Sequence, residues 1–174
     1  MKIVNIHGYQ GSAQNSAYSA LEAVGAEIVS PQNDYERESP EDILGKLMST
    51  VPEERPDMIV GTSLGGFFAA VLAARTGLPV ILVNPCLMPF LHLPRLGYGG
   101  DVRPFMTPFG ELARLPKENV RVIIGGSDEV IDTHEFAVSL FGSERVRVVP
   151  EGKHSGSTLP LKEFFGEMLK TNEI

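Results

Sequence analysis

The stretch MIVGTSLGGFFAAVLAAR, residues 58–75, changes its hydrophobic period in the middle. It begins as a short apolar run that is typical of a buried strand, and residues 63–75 continue with helical spacing. Ser63 lies at the junction, between Gly61 and Gly65. A strand that leads directly into a helix is the repeating unit of α/β proteins, so this stretch predicts one strand–helix unit of a parallel sheet.

The same alternation of short apolar runs and helical patterns extends along the whole chain. Six runs are rich in β-branched residues and bounded by Gly, Pro, Asn or Ser: 2–6, 26–30, 57–61, 79–83, 120–124 and 145–149. Helical spacing occupies 16–24, 40–50, 63–75, 132–141 and 160–171. This order predicts an α/β fold with a mainly parallel six-stranded sheet and helices on both faces.

Composition limits the class of protein. The 174 residues, 43% of them hydrophobic, suit a single domain over 1–174 with a core of its own. The chain has 15 Lys plus Arg against 22 Asp plus Glu, a net charge of −7, and no basic run that could follow a phosphate backbone. Nucleic acid is therefore not expected as a partner.

Cysteine usage and the first residues bear on the cellular compartment. Cys86 is the only cysteine, which excludes an internal disulfide and a cysteine-based zinc site and fits a reducing compartment. The start MKIVNIHGY, residues 1–9, lacks the features of a signal peptide. No stretch approaches the ~20 apolar residues that a membrane span requires. We therefore expect a cytoplasmic protein.

The loops that follow four of the predicted strands carry the residues with chemical potential. Parallel α/β sheets place their sites beyond the carboxyl ends of the strands. In chain order these loops are HGYQGS (7–12), GTSLGG (61–66), GGSDEVID (125–132) and PEGKHSG (150–156). They supply, in this order, a turn, a serine, an acid and a histidine. A histidine and an acid are the residue types that activate a serine nucleophile.

Ser63 lies in the pattern G-x-S-x-G, from Gly61 to Gly65, in which a tight strand-to-helix turn exposes the serine. A serine hydroxyl is a poor nucleophile without a base and an acid that orients the base. His154 and Asp128 lie where the chain order Ser, Asp, His of this fold requires them. We therefore predict these three as catalytic residues. The alternatives are a Ser63 that only caps the helix and a His154 in a solvated loop.

Five other polar or reactive side chains are assigned structural roles. Asp132 is either the acid or the N-cap of the next helix, and its greater distance from the strand end favours the cap. His7 is expected to support a turn that builds an oxyanion hole. His92 and His134 are expected at the surface or in packing, and Cys86 is expected as a small buried hydrophobe.

The segments HGYQGS, GTSLGGFFAA, LVNP, GSDEVIDTHEF and EGKHSG together resemble the YqiA-like esterases, a compact branch of the α/β-hydrolase superfamily. The resemblance covers nearly the whole chain and implies a hydrolase sheet that lacks the first two strands of the superfamily. It implies Ser63 as the nucleophile, Asp128 as the acid and His154 as the base. It also implies that the backbone N–H groups of Leu64 and Tyr9 form the oxyanion hole.

The longest connection between predicted strands is 84–119, and its six prolines argue against a long helical lid. We predict a short irregular cover around 85–116 that shapes an acyl pocket through Leu87, Met88 and Phe90. The alternatives are that the apolar residues of this segment cover the sheet edge or form a homodimer contact.

These features together predict a serine hydrolase that cleaves carboxylic esters or thioesters of short to medium acyl groups through an acyl-enzyme. Its partner would be a small-molecule substrate, with no metal or cofactor. A peptidase or acyltransferase on the same triad and a catalytically silent binding protein are the alternatives, and the complete triad disfavours the silent protein. The polar stretch 31–39 predicts only a solvated loop.

Overall fold

The computed structural model describes residues 1–171. Within them the strands are β1 (Lys2–Ile6), β2 (Glu27–Val29), β3 (Met58–Thr62), β4 (Val80–Val83), β5 (Val120–Gly125) and β6 (Val146–Val149). The α-helices are α1 (Ser16–Ala23), α2 (Pro40–Glu54), α3 (Leu64–Thr76), α4 (Pro89–His92), α5 (Met106–Glu111), α6 (His134–Phe141) and α7 (Leu161–Thr171). Each strand agrees with its predicted range to within about one residue at either end. None of the helices in this part of the chain is long and apolar enough to cross a membrane.

The strands form one sheet in the order β2-β1-β3-β4-β5-β6, and every neighbouring pair is parallel. The predicted α/β fold with a six-stranded parallel sheet is thereby confirmed. After β2 the chain returns to form β3 on the other side of β1, so the strand order reverses between β1 and β3. Sites in such sheets form beyond the carboxyl ends of the strands at this reversal, where the loops after Ile6 and Thr62 meet.

Both faces of the sheet are covered, because alternate residues of each strand pack against different helices. One core layer joins strand residues such as Ile59 and Leu82 to α2, α3 and α6, and the other joins Val60 and Ile81 to α1 and α7. The first ten residues of α3 are all buried. A helix that is apolar all round lies inside the core, so the first residue of α3, Leu64, is held tightly against the sheet.

Helix α2 begins as predicted and ends later than predicted. The Ser39 hydroxyl accepts a hydrogen bond from Asp42 N–H, and the Asp42 carboxylate accepts one from Ser39 N–H, which forms a capping box. The helix continues past residue 50 to Glu54, although Pro52 removes a donor from its last turn. Val51 packs against the core and supports this turn, so burial outweighs the lost hydrogen bond.

The connection from β4 to β5 consists of short helical pieces. It contains α4, α5 and several single 3₁₀ turns, and its longest piece is α5, with six residues. Leu93, Phe105 and Leu112 from this segment are buried in the core layer that contains α3. The segment therefore lies directly on the domain, over the same side of the sheet as α3.

Candidate active site

Ser63 occupies the turn between β3 and α3 in a backbone conformation that L-residues rarely adopt. Its φ of 53° and ψ of −122° lie outside the favoured regions. Ser63 N–H donates to Val83 O at 3.0 Å, and Ser63 O accepts from Gly66 N–H at 2.8 Å and from Cys86 N–H at 2.9 Å. Strain of this kind persists only where the surroundings over-determine it, and it is concentrated at functional sites.

The two glycines of the elbow are sterically required. A Cβ atom at Gly65 would overlap the carbonyl oxygens of Ile6 and His7 at the end of β1, and one at Gly61 would overlap Gly65 O and Ala69 Cβ of α3. Strands β1 and β3 and helix α3 approach one another this closely because these positions lack side chains. The G-x-S-x-G pattern therefore reflects backbone packing around Ser63.

The Ser63 side chain faces a histidine. Although Ser63 occupies the N-cap position of α3, its side chain makes no capping hydrogen bond. Its Oγ lies 3.1 Å from Nε2 of His154, in the loop after β6. The other ring nitrogen of His154, Nδ1, lies 2.9 Å from Oδ2 of Asp128, in the loop after β5. The fold thus brings three side chains from three separate loops into one hydrogen-bonded chain.

The Asp128 carboxylate is buried and accepts from four donors. Its side chain is 1% exposed. Oδ1 accepts from Val130 N–H at 2.8 Å and Ile131 N–H at 2.9 Å, and Oδ2 accepts from the rings of His154 and His134. Burial alone would raise the pKa of Asp128, but the four hydrogen bonds outweigh burial and hold that pKa well below its usual range. Asp128 is therefore an anion at neutral pH.

The loop that carries His154 is anchored by Asn84, directly after β4. Asn84 is fully buried. Its Nδ2 donates to Lys153 O at 2.9 Å and to His154 O at 2.8 Å, and its Oδ1 accepts from Gly125 N–H at 2.7 Å. Its φ of 42° is left-handed, which asparagine tolerates better than most residues. One side chain thereby ties the ends of β4 and β5 to the histidine loop.

Replacing Asn84 with alanine is expected to lower the free energy of unfolding by about 2–4 kcal/mol, because one buried and two partly buried backbone groups lose their partner. The matched control is Asn119→Ala, which removes an amide that donates to Gly77 O at an exposed site and should cost less than about 1 kcal/mol. Urea unfolding of both variants measures the difference. Amide hydrogen exchange should also accelerate in 150–158 of Asn84→Ala alone, and equal stability of the two variants would contradict the anchoring role.

The turn after β1 lies against the serine. A Cβ atom at Gly8 would come within 2.9 Å of Ser63 Cβ. Gly8 O accepts from Gly11 N–H at 3.0 Å and from His7 Nδ1 at 2.8 Å, while His7 Nε2 accepts from Asn33 N–H at 3.0 Å. The Asn33 bond places the ring proton on Nδ1, and burial lowers the pKa of His7, so the ring is neutral. His7 thus supports the turn through hydrogen bonds.

The polar stretch 31–39 is only in part the solvated loop that its composition predicts, because two of its residues are buried. Asn33 and Tyr35 are buried, at 3% and 5% exposure. The Tyr35 hydroxyl donates to His7 O at 2.5 Å, and its ring stacks on Phe68 of α3 with centroids 5.7 Å apart. Asn33 and Tyr35 therefore pack beneath the turn that carries Gly8, and their hydrogen bonds to His7 hold that turn in place.

The family model described as Uncharacterised protein family (UPF0227) matches residues 2–101, which is more than half of the chain. The chain belongs to this family. The resemblance to the YqiA-like family is thereby confirmed. The matched residues of this UPF0227 member include Ser63 and end before Asp128 and His154. No curated protein matches the chain in sequence.

Solved structures that resemble this UPF0227 member share its fold at low sequence identity. Est1E from Butyrivibrio proteoclasticus is 16% identical, with a TM-score of 0.73 over 98% of this chain and 88% of that one. MGS-MChE2, described as an alpha/beta hydrolase enzyme from the metagenome of lagoon sediments at Mar Chica, Morocco, is 14% identical, with a TM-score of 0.69 over 100% and 92%. A structure from the work on LipS and LipT, two metagenome-derived lipolytic enzymes, is 17% identical, with a TM-score of 0.64 over 98% and 92%. These similarities show that the chain has the α/β-hydrolase fold.

Asp132 does not cap helix α6, so the prediction of a cap is wrong. The helix begins at His134, and its N-cap residue, Thr133, makes no side-chain capping bond. Asp132 instead pairs with Arg95 of the cover segment at 3.0 Å, and its side chain is 66% exposed. The carboxylate that contacts the His154 ring belongs to Asp128.

The three residues predicted to line an acyl pocket lie at the start of the cover segment. Leu87 is buried in the core layer that contains α3. Met88 is half-buried and precedes α4, and Phe90 is half-buried and packs edge-to-face on Phe109 with centroids 5.1 Å apart. Their contact with an acyl group remains a prediction.

Cys86 is buried, and its backbone N–H donates to Ser63 O. Burial, and next to it the charge of Asp128, raises the pKa of the Cys86 thiol to about 12, so the thiol stays protonated. Among residues 1–171, no group of three or more His, Cys, Asp or Glu side chains is placed to hold a metal ion.

Two residues at the site were not predicted from the sequence. His134 is not simply a surface or packing residue, because its Nε2 lies 2.8 Å from Asp128 Oδ2. Asn84 could have been found by its position, since a polar residue directly after a buried strand lies at the site edge of the sheet. His134 offers no such signal, because it lies at the start of α6, six residues after Asp128, and the sequence does not reveal where its ring points.

Proposed function

We propose that this protein is a serine hydrolase that cleaves carboxylic esters or thioesters of short to medium acyl groups through an acyl-enzyme. The observation that carries the proposal is the chain of hydrogen bonds from Ser63 Oγ through the His154 ring to Asp128, at 3.1 Å and 2.9 Å. Two of the fold neighbours come from studies described as concerning lipolytic enzymes and an alpha/beta hydrolase, which supports the same reaction class.

In the acylation step, Ser63 Oγ attacks the carbonyl carbon of the ester while its proton passes to His154 Nε2. The proton on Nδ1 of His154 faces Asp128, whose negative charge stabilises the imidazolium that forms. When the tetrahedral intermediate collapses, the bond to the alcohol or thiol breaks and His154 gives its proton to that leaving group. The acyl group stays on Ser63.

In the deacylation step, a water molecule attacks the carbonyl carbon of the acyl-enzyme and transfers a proton to His154 Nε2. The bond between the acyl group and Ser63 Oγ then breaks, and His154 returns the proton to Oγ. The carboxylic acid leaves, and the site is ready for another substrate molecule.

We assign the oxyanion hole to the backbone N–H groups of Leu64 and Tyr9. Leu64 begins α3, where the first backbone N–H groups have no acceptor within the helix. The C=O and N–H of a trans peptide point in opposite directions. Gly8 O and Tyr9 N–H belong to the same peptide. Because Gly8 O points toward its donors on His7 and Gly11, Tyr9 N–H points in the opposite direction. Leu64 directly follows Ser63, and Tyr9 directly follows Gly8, which lies against Ser63, so both positions suit the stabilisation of a developing oxyanion.

A catalytically silent binding protein on the same fold is the main alternative outside enzymes. The strained backbone at Ser63 argues against it, because strain of about 1–3 kcal/mol is costly to retain in a residue that does no chemistry. A peptidase or an acyltransferase would use the same three side chains. Peptide substrates and alcohol acceptors therefore belong in any activity screen.

Short and medium acyl groups are expected to react best. Each methylene that contacts an apolar wall contributes about 0.8 kcal/mol, roughly a fourfold gain in kcat/KM, until the chain meets the pocket floor or emerges into water. Esters of p-nitrophenol from acetate to palmitate, below their micellar concentrations, and thioesters of matched length measure the profile. A rise through palmitate would contradict the preference for short and medium acyl groups, and hydrolysis of none of them would contradict the proposed function.

Replacing Phe90 with alanine is expected to move the plateau of that profile toward longer acyl groups. The Phe90 ring packs edge-to-face on Phe109, so its removal leaves space in the cover segment for a longer acyl chain. Leu91→Ala is the matched control, since Leu91 lies on the same short helix with 43% of its surface exposed. The same ester series is run on both variants. If Phe90→Ala keeps the parent profile, or if Leu91→Ala shifts it equally, Phe90 does not line the pocket.

A further inference from the structure

The Asp128 carboxylate is shared between two histidines. His154 Nδ1 lies 2.9 Å from Oδ2, and His134 Nε2, at the start of α6, lies 2.8 Å from the same oxygen. A triad requires one histidine on its acid. His134 is therefore additional to the triad, and it contacts the same carboxylate oxygen as His154 does.

The proton of His134 can be placed from its surroundings. Nε2 faces a carboxylate, so it must carry a proton to bond. Nδ1 is buried without a hydrogen-bond partner among the described residues, so a proton there would have no acceptor, at a cost in free energy. His134 therefore donates to Oδ2 of Asp128 from Nε2, and its side chain is only 12% exposed.

Few other charges face His134. Asp132, in the loop that precedes α6, pairs with Arg95 of the cover segment, and His92 of α4 bonds to Thr133. Glu135 is an exposed residue of α6. With His134, Asp128 and Asp132, it lines a cavity of about 330 Å³ beside the acid. The only direct ion-pair partner of His134 in the described chain is thus Asp128.

We propose that His134 is a positioning residue for the triad. Its hydrogen bond holds the Asp128 carboxylate in place and weakens the electrostatic attraction between that carboxylate and the His154 ring. This inference rests on the proposed function. A hydrogen-bond donor on Oδ2 offsets part of the negative charge that His154 faces. The carboxylate therefore attracts a proton on the His154 ring less strongly than an unshared one would.

Removal of the donor is expected to make His154 protonate more readily. In His134→Phe, which keeps a ring but has no N–H, the acid limb of the pH profile of kcat/KM should move up by about 0.5–1 pH unit. The maximal kcat should fall about tenfold, because the carboxylate loses one of its supports. His134→Gln, whose amide can still donate from a similar position, should restore most of the original profile.

The matched control is His92→Gln, which removes another buried histidine nearby that bonds Thr133 and not Asp128. Its acid limb should stay at the position of the unmodified protein. An unchanged acid limb in His134→Phe, or an equal shift in His92→Gln, would overturn the proposal. If His134→Phe fails to fold, His134→Asn is used instead, because its shorter amide cannot reach Oδ2 and should give the same upward shift.

A second measurement separates this proposal from the proposed function. The chain has four histidines, so the ring resonances of His154 can be followed by NMR as the pH is changed. The midpoint of the His154 titration should rise in His134→Phe and not in His92→Gln, whether or not any ester is hydrolysed. Absence of ester hydrolysis with this shift present would contradict only the function, and absence of the shift would contradict the role of His134.

Discussion

Replacement of Ser63 by alanine is expected to lower kcat for ester hydrolysis by roughly 10⁵-fold, because the acyl-enzyme can no longer form. The free energy of unfolding should change by less than about 1 kcal/mol, since the Ser63 side chain makes no capping bond and only its contact with His154 is lost. Steady-state kinetics and urea unfolding measure the two quantities. A large loss of stability with little loss of kcat would show that the serine has a structural role.

The same serine should react with an organophosphonate probe. We expect one adduct per chain at Ser63 in the unmodified protein and none in Ser63→Ala, because only a hydroxyl activated by His154 attacks phosphorus at a useful rate. Ser155→Ala, next to the histidine, is the matched control and should be labelled like the unmodified protein. Intact-mass and peptide mass spectrometry measure the adduct. Labelling of all three proteins alike, or of none, would contradict a catalytic Ser63.

Asp128→Asn is expected to lower kcat by about 10⁴-fold with the fold retained. The amide oxygen of the new side chain can still accept from the N–H groups of Val130 and Ile131. Its NH₂ group would then face the His154 ring and favour the tautomer with an unprotonated Nδ1. In that tautomer Nε2 carries the proton, and it cannot accept one from Ser63. Kinetics at saturating substrate measure the loss.

Asp132→Asn is the control for the same change four residues along the chain. The exposed pair of Asp132 with Arg95 contributes at most about 1 kcal/mol to stability, and no cap is lost. We expect kcat within about threefold of the unmodified protein. If Asp132→Asn abolished turnover and Asp128→Asn did not, the acid would be Asp132 and the proposed chain from Ser63 through His154 would be wrong.

Much of the fold was predictable because its signals are local. Each strand is a short β-branched run bounded by Gly, Pro, Asn or Ser, and this pattern depends on neighbouring residues alone. The catalytic candidates were predictable for a related reason. Ser63, Asp128 and His154 each follow a strand, and the parallel order of the strands brings such positions to one edge of the sheet. The structure places their side chains within hydrogen-bond distance, while their catalytic roles remain predictions.

The sequence by itself determined the strands, the parallel α/β fold and the loops that meet at the site. The tertiary structure alone decided which side chains support that site: His134 on Asp128, Asn84 on the His154 loop, and Asn33 and Tyr35 beneath the turn after β1. The reason is physical. Hydrophobic periodicity indicates which residues of a helix or strand face the core. A hydrogen bond between loops as far as 70 residues apart depends on where the folded backbone carries both partners, and no local pattern encodes that position.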